Sequence, residues 1–138
     1  MRRIQVGDLD AAIKNYDQAT ELNRGQHVPS PWPPLNLGTL LIKLGKFDEA
    51  ERNLRESLRY DWRFPTARYE LGRLLVKEKR DDEALKELRL AALYDPEYPE
   101  PHFAMGQIYQ RMGKKDQAAS EWKTFQKLKQ EHPHARPH

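Results

Sequence analysis

The chain of 138 residues carries 24 Lys and Arg against 21 Asp and Glu, a formal net charge of +3, and 38% of its residues are apolar. This length favours one domain, and the absence of Cys excludes disulfides and thiolate chemistry while leaving the redox compartment open. So small a basic surplus does not indicate a nucleic-acid partner, and without a run of about 18 apolar residues we expect neither a membrane span nor a signal peptide.

Hydrophobic periodicity predicts helices separated by short turns. They are expected at residues 8–23, 31–44, 47–60, 65–78, 81–94, 99–112 and 115–131. Gly45 and Gly113 follow the second and the sixth helix, where a left-handed closing residue is favoured. Lys79 occupies the equivalent position after the fourth helix, so its turn should be slightly strained or differently closed. Asp48 and Asp81 begin the third and the fifth helix, where a carboxylate can accept a free backbone N–H.

Several ladders of residues recur every 34 positions. Two consist of small residues offset by 12 positions, so that each of two successive helices carries one small residue where the backbones approach closely. A third ladder supplies the large apolar residue that packs between the helices. The members are Gly38, Gly72 and Gly106; Ala50, Ala84 and Ala118; and Leu54, Leu88 and Trp122. The repeating unit is therefore a helix hairpin.

Further members of these ladders give the chain a family resemblance. They are Leu37-Gly38, Leu71-Gly72, Met105-Gly106, the alanine ladder, and Asp95-Pro96 at a repeat end. Together they resemble the tetratricopeptide repeat (TPR) family. The resemblance implies an all-α, right-handed superhelical solenoid of antiparallel helix hairpins with about three and a half repeats. The aromatic residue that the family usually has near the start of the first helix is replaced by Pro34, Arg68 and His102.

The repeat frame predicts a single domain over residues 1–131. It comprises a half repeat (1–24), a loop (25–30) and three repeats (31–64, 65–98 and 99–131), and a disordered tail (132–138) follows it. The half repeat aligns only with a shift of 38, so the loop is longer than its siblings. Pro31-Trp32-Pro33-Pro34 favours an extended segment after the loop, which we interpret as a stiff connector; a polyproline docking element is the alternative.

The first predicted helix corresponds to the second helix of a hairpin, so its packing face lacks a partner. Leu9, Ile13 and Tyr16 lie on that face at helical spacing. We expect the chain to be part of a longer array; the alternative is a homo-oligomer that forms through these three residues. At the other end, Phe125 replaces the smaller residues of its ladder and can close a final repeat.

In the resembled architecture the first helix of each hairpin lines a concave groove. The groove residues are Trp32, Leu35, Asn36, Thr39, Lys43, Tyr69, Glu70, Arg73, Lys77, Phe103, Gln107 and Arg111. Apolar side chains follow one side and cations the other, which favours an acidic peptide or protein partner with hydrophobic anchors. The alternative is that each cation lies in the last turn of its helix for the sake of the helix dipole alone.

No catalytic constellation is present in the sequence. The three serines do not combine with a positioned His and acid, and no metal-ligand or phosphate-loop spacing occurs, so we expect neither an enzyme nor a cofactor. Alternating histidines in the tail could bind a metal, but two prolines and the lack of acidic or thiol ligands favour disorder.

The sequence therefore predicts a non-catalytic protein-protein interaction scaffold within a larger protein or assembly. Self-assembly through the first helix is the alternative. An RNA-binding helical repeat is less favoured, because Glu70 and Glu100 fall in the groove. The sequence does not specify the partner or the compartment; a complete chain of this kind would be expected in the cytoplasm.

Overall fold

The computed structural model describes residues 6–131, and the regular structure within that range is entirely α-helical. The helices are α1 (Val6–Arg24), α2 (Trp32–Lys43), α3 (Phe47–Tyr60), α4 (Pro65–Lys77), α5 (Asp81–Tyr94), α6 (Glu100–Arg111) and α7 (Lys115–Glu131). Every bound lies within two residues of its predicted position, so the predicted all-α fold of helix hairpins is confirmed. The predicted tail and the first residues of the half repeat lie outside the described residues.

Contacts between helices divide the chain into two compact units, the first ending at Trp62 and the second beginning at Arg63. In the first unit α2 and α3 form a hairpin, and α1 packs against α2. In the second unit α4 pairs with α5 and α6 with α7, while α6 also contacts α5 and α4. Sequence-adjacent helices joined by short turns thus bury their apolar faces on each other, as the ladders require.

A glycine lies where the two helices of each hairpin cross. A Cβ atom at Gly38 would lie 2.9 Å from Leu54 Cγ, and one at Gly72 would lie 2.8 Å from Leu88 Cγ. Real side chains do not approach this closely, so only glycine allows the observed separation of the helices. The glycine and leucine ladders therefore meet in the structure as the period predicts.

Trp122 makes the crossing of the last hairpin the tightest. A Cβ atom at Gly106 would overlap the indole Nε1 of Trp122 and lie 2.5 Å from its Cδ1. The same Nε1 is buried and has no hydrogen-bond partner among residues 6–131. The indole thus fills the seam by shape while leaving a donor unsatisfied, which typically costs about 1–3 kcal/mol.

The turns after the first helices adopt the left-handed conformation that the sequence predicts. The φ angle is 75° at Gly45, 75° at Gly113 and 59° at Lys79. Each left-handed residue lets the next amide bond back into the helix, as Arg80 N does to Leu75 O at 2.8 Å. At Lys79 a side chain crowds this conformation, so the predicted strain at this turn is confirmed.

The starts of α3 and α5 correct the capping prediction for Asp48 and Asp81. The N-cap residues are Lys46 and Arg80, and neither makes a side-chain capping hydrogen bond. Asp48 lies two residues after Lys46 and Asp81 one residue after Arg80, so both aspartates are inside the first helical turn. Their carboxylates can therefore stabilise the helices through the macrodipole, by about 0.3–1 kcal/mol each, rather than as caps.

A polar contact joins the two helices of each hairpin in the second unit. Arg68 Nη1 donates to Glu87 Oε2 at 2.8 Å, and 34 residues later His102 Nδ1 lies 2.8 Å from Glu121 Oε2. Both contacts are mostly shielded from solvent, since the side chains of Arg68 and Glu87 are only 16% and 9% exposed and those of His102 and Glu121 16% and 24%. Arg68 and His102 occupy the position where the resembled family usually has an aromatic residue.

The first hairpin has Pro34 and Asn53 at these two positions. Proline offers no donor from its side chain, and Asn53 Oδ1 is buried without a hydrogen-bond partner in the described part of the chain. Asn53 Nδ2 instead donates to the Glu49 carbonyl one turn earlier, at 2.9 Å. The cross-hairpin polar contact is thus missing where Pro34 replaces its donor.

The loop between α1 and α2 is held by side chains on both sides. Asn23 Nδ2 donates to the Ser30 carbonyl at 2.7 Å, and Ser30 N donates to Asn23 Oδ1 at 2.8 Å. Ser57 Oγ donates to the Pro31 carbonyl at 2.7 Å. These hydrogen bonds tie the loop to α1 and α3. The predicted extended segment is wrong, however, because Trp32, Pro33 and Pro34 lie inside α2 and Pro31 has helical backbone angles, which proline tolerates in the first turn.

Candidate protein-interaction surfaces

The first helix of the first unit, α2, presents a mixed surface. Trp32 begins the helix and remains 51% exposed, while Asn36 and Lys43 are exposed further along it. Thr39 is half-buried and donates its hydroxyl to the Leu35 carbonyl at 3.0 Å. Leu35 itself is only 3% exposed, so its side chain belongs to the core rather than to the predicted groove.

On α4 the predicted site residues form a connected cluster around Tyr69. The rings of Tyr69 and Tyr98 are 5.3 Å apart and tilted by 57°, and the Arg73 guanidinium lies 5.6 Å from the Tyr69 ring centroid. Arg73 also pairs with Glu70 at 3.6 Å. Tilted ring pairs and a cation over a ring are both attractive, so Tyr69 is held in one orientation.

Both tyrosines of this cluster remain protonated over a wide pH range. Burial raises the pKa of Tyr98, and the neighbouring Tyr69 and acidic residues reinforce that shift. Burial also raises the pKa of the half-buried Tyr69, whereas Arg73 opposes the shift. The cluster therefore offers a neutral aromatic surface beside a cation.

The sequence prediction missed Tyr98, although its buried ring packs against the ring of Tyr69. The available signal was the aromatic pair Phe64 and Tyr98, which are 34 residues apart and both buried. A buried aromatic residue at the end of a repeat contributes to a neighbouring surface only through the three-dimensional packing of α4 and α6, which the period does not specify.

On α6 the three predicted residues differ in their engagement. Phe103 is 44% exposed, and its ring packs on Phe125 at 5.2 Å. Gln107 is exposed. Arg111 Nη2 donates to Asp81 Oδ1 at 2.7 Å, so its charge is already partly compensated. By contrast, Lys77 at the end of α4 is exposed and has no ion pair or hydrogen bond with residues 6–131.

Helix α4 contacts α6, and we use the name α4–α6 face for the predicted residues of these two helices. Its members are Tyr69, Glu70, Arg73, Lys77, Phe103, Gln107 and Arg111. Residues four positions apart lie in one row along a helix. On α4 this row is Tyr69, Arg73 and Lys77, and on α6 it is Phe103, Gln107 and Arg111.

Models of the tetratricopeptide repeat match residues 3–26, 35–100 and 102–135. The chain belongs to the tetratricopeptide repeat family. TPR proteins are in general protein-interaction scaffolds and are typically non-catalytic, and this membership supports an interaction scaffold in general terms. In TPR terms α2, α4 and α6 are first helices of repeats, and α1, α3, α5 and α7 are second helices.

Solved TPR structures share this fold at low sequence identity. A crystal structure of MamA is 21% identical with a TM-score of 0.78, the match covering 93% of this chain and 77% of that one. MamA from Desulfovibrio magneticus RS-1 is 20% identical with a TM-score of 0.77, covering 91% and 69%. A TPR protein from Parabacteroides merdae is 19% identical with a TM-score of 0.79, covering 90% and 48%. A search of curated proteins found no significant match.

Two further observations concern residues 6–131. No group of three His, Cys, Asp or Glu side chains in this range is arranged to hold a metal ion. None of the TPR helices in the same range combines the length and the apolar composition that a membrane crossing requires.

Proposed function

We propose that this TPR chain binds an acidic peptide segment with hydrophobic anchors on its α4–α6 face. The observation that carries the proposal is the Tyr69 cluster, in which Tyr98 and Arg73 hold the ring before any ligand arrives. Preorganised aromatic side chains make strong interface anchors because little side-chain entropy remains to be lost on binding. Phe103 offers a second exposed ring on the neighbouring helix.

Electrostatics favour an acidic ligand on this face. Glu70 and Asp81 already pair with Arg73 and Arg111, and Glu100 acts on Tyr69. The attraction therefore rests mainly on Lys77, which is exposed and has no ion pair or hydrogen bond within residues 6–131. An exposed charge of this kind steers encounter and contributes less to the lifetime of the complex. The exposed residues of α2, namely Trp32, Asn36 and Lys43, are proposed as a separate partner surface of the first unit.

Selection of peptides from a random display library on the purified chain tests this proposal. Enriched sequences should combine Asp or Glu with aromatic or aliphatic residues. Lys77→Glu should slow association, and the effect should shrink as salt is added, because exposed charges are screened. Phe103→Ala should instead speed dissociation, because it removes an anchor.

Lys86→Glu is the matched control for Lys77→Glu, since it reverses one exposed charge on α5. Its association rate should stay near that of the wild type. Peptides that bind Lys77→Glu and Phe103→Ala as tightly as the wild type, but lose affinity for Lys86→Glu, would assign binding to another surface.

Self-association through α1 is a second candidate, favoured by the exposure of its packing face. Tyr16 is 38% exposed, whereas Leu54 and Leu88, its equivalents in the following repeats, are fully buried. Ala19 is likewise exposed, whereas its equivalent Ser57 is fully buried. A second copy that covered Leu9, Ile13 and Tyr16 would bury this surface as a repeat neighbour does.

Sedimentation over a range of concentrations tests this second candidate. The wild type should form a dimer or larger species as concentration rises, and Ile13→Glu should shift that transition upward, because a charge in an apolar interface is unfavourable. A wild type that sediments as a monomer throughout would remove this candidate and leave the α4–α6 proposal untouched.

A further inference from the structure

A second surface of the first unit is dominated by arginine. A cavity of ≈ 400 Å³ lies where the end of α1 meets α3. Its lining residues are Arg24, Arg52, Asn53, Arg55, Glu56 and Arg59. We call it the arginine cavity. Four guanidinium groups and one carboxylate line the cavity, and two further carboxylates, Glu21 and Glu51, pair with Arg24 and Arg55.

The one carboxylate among the residues that line the arginine cavity already accepts three hydrogen bonds. Arg24 donates Nε to Glu56 Oε2 at 2.9 Å and Nη2 to Glu56 Oε1 at 2.8 Å. Tyr60 donates its hydroxyl to Oε2 at 2.7 Å. These hydrogen bonds hold the pKa of Glu56 below its ordinary value, so it stays ionised and fixes Arg24 in place. Both oxygens of Glu56 are therefore committed.

This arrangement leaves two arginines of α3 without an ion pair or hydrogen bond within residues 6–131, although the charge of Arg59 still acts on Glu56 and helps to lower its pKa. Arg52 precedes Glu56 by four residues and Arg59 follows it by three, so each is spaced to form a helical ion pair with it. Since Arg24 and Tyr60 hold that carboxylate, neither arginine forms an ion pair or a hydrogen bond within residues 6–131. Both side chains are exposed at the cavity.

Arg55 can join them at little cost. It pairs with Glu51 at 2.9 Å, four residues earlier on the same helix, and its side chain is 47% exposed. Exposed pairs of this type are weak and screened by salt, so Arg55 can turn towards an anion in the cavity. Arg52, Arg55 and Arg59 follow at intervals of three and four, a like-charge spacing that destabilises a helix unless something offsets it.

The equivalent helices do not repeat this concentration. The residues equivalent to Arg52, Arg55 and Arg59 are Lys86, Arg89 and Leu93 on α5, and Ser120, Lys123 and Lys127 on α7. Arg89 is moreover engaged, since it donates to the Tyr109 hydroxyl at 2.7 Å. The arginine cavity is thus a property of α1 and α3 and not of the TPR hairpin.

We propose that the arginine cavity binds a compact phosphate-type anion with two or more negative charges. Guanidinium groups match phosphate oxygens with paired N–H donors, whereas lysine offers only a point charge. A compact anion fits better than a long polyanion, because Glu21 and Glu51 pair with Arg24 and Arg55 and would repel a polyanion that extended past these arginines. This inference is independent of peptide binding on the α4–α6 face.

Calorimetric titration of the full chain with inorganic pyrophosphate at fixed ionic strength tests the proposal. Pyrophosphate should bind at least about tenfold more tightly than sulfate, because more guanidinium groups can be paired. The double variant Arg52→Ala/Arg59→Ala should lose about tenfold or more in pyrophosphate affinity. The double control Lys86→Ala/Lys123→Ala removes the same charge from exposed positions elsewhere and should stay within about twofold of the wild type. Circular dichroism establishes that all variants are folded.

A phosphoserine peptide, titrated in parallel with its unphosphorylated form, identifies the source of the anion. Tighter binding of the phosphopeptide than of pyrophosphate assigns the cavity to a phosphorylated protein, and the reverse order assigns it to a small molecule; both outcomes support a phosphate site. Equal affinity for sulfate and pyrophosphate, or equal losses in the two double variants, would overturn it.

Discussion

Lys79 adopts at φ 59° a conformation that its equivalents Gly45 and Gly113 adopt without a side chain. Left-handed backbone costs a residue with a Cβ atom about 1–2 kcal/mol. Glycine at this site removes that strain but adds about 0.4–1 kcal/mol of unfolded-state entropy. We therefore expect Lys79→Gly to raise the free energy of unfolding by about 0.5–1 kcal/mol in urea denaturation.

The reciprocal change provides the control. Gly113→Lys introduces the same strain and should lower the free energy of unfolding by a similar amount. If Lys79→Gly is neutral while Gly113→Lys is destabilising, the turn at Lys79 relaxes in solution to a conformation that suits lysine.

Gly106 contacts the rigid indole of Trp122, whereas Gly72 contacts the flexible side chain of Leu88. A methyl group at either crossing should be destabilising by about 1–3 kcal/mol. Leucine can change rotamer to relieve the overlap, but the indole must move as a whole. We expect Gly106→Ala to lower the unfolding midpoint more than Gly72→Ala, as followed by circular dichroism.

The Trp122→Leu background tests the cause of that difference. If the indole is responsible, Gly106→Ala should be less costly in this background than in the wild type, and the double-mutant cycle should give a favourable coupling. Identical costs in both backgrounds would mean that the helices themselves, rather than Trp122, set the separation.

At the level of the helix pair, one motif position holds Asn53, Glu87 and Glu121 in successive hairpins. Glu87→Ala removes the acceptor of the shielded Arg68 ion pair, and breaking such a pair typically costs about 3 kcal/mol. Asn53→Ala removes an acceptor that has no partner, and alanine favours the helix. We expect Asn53→Ala to be neutral or stabilising in thermal denaturation, Glu87→Ala to be severe, and Glu121→Ala to lie between them.

The contact of α1 with α3 through Arg24 and Glu56 should make stability depend on pH. Hydrogen bonds from Arg24 lower the folded-state pKa of Glu56 from its ordinary value of 4.5. The stabilisation is therefore complete above about pH 4.5 and is lost as the pH falls through the folded-state pKa. Glu56→Gln should be less stable than the wild type at pH 7, and the difference should shrink below pH 4.

Urea denaturation at a series of pH values measures this difference. Glu21→Gln is the matched control, because Glu21 also pairs with Arg24 but its side chain is 73% exposed. It should change stability little at any pH. A constant difference between the wild type and Glu56→Gln from pH 7 down to pH 3 would show that the ionised carboxylate is not what stabilises the contact.

Across the described helices, burial is shared by α2 to α6 and is lowest at the two ends. Helix α4 contains Leu71, Leu74 and Leu75 and packs on Leu88 of α5, all four fully buried, whereas in α7 only Ala118 is buried. Local opening follows the density of buried contacts. Hydrogen exchange should be slowest in α4 and α5 and fastest in α1 and α7, and uniform exchange along the chain would contradict this order.

The fold was predictable because its packing residues recur every 34 positions in the sequence. Gly38, Gly72 and Gly106 locate the helix crossings, and Lys79 locates a strained turn, by spacing alone. The same repeat frame selected the exposed residues of the candidate site. It also selected Leu35, whose side chain is buried.

Contacts that depend on side-chain reach were not predictable. Arg24 meets Glu56 across 32 residues, and Arg111 meets Asp81 across 30, because long charged side chains cross between helices. Neither ion pair recurs with the 34-residue period, so the repeat pattern could not predict it. The arginine cavity was missed for the same reason: its free cations result from one carboxylate being taken by a residue of another helix.

The polar pairs inside the hairpins influence which helices pair with each other during folding. The hairpins share the glycine, alanine and leucine ladders. Apolar packing alone would therefore allow the first helix of one hairpin to pack on the second helix of another. Arg68 against Asn53, instead of Glu87, would bury a guanidinium beside an amide that cannot neutralise it. The polar pairs therefore favour the native helix pairing over pairings between similar helices of the same chain. Exchanging α3 and α5 by recombination should yield misassembled hairpins even though every ladder is preserved.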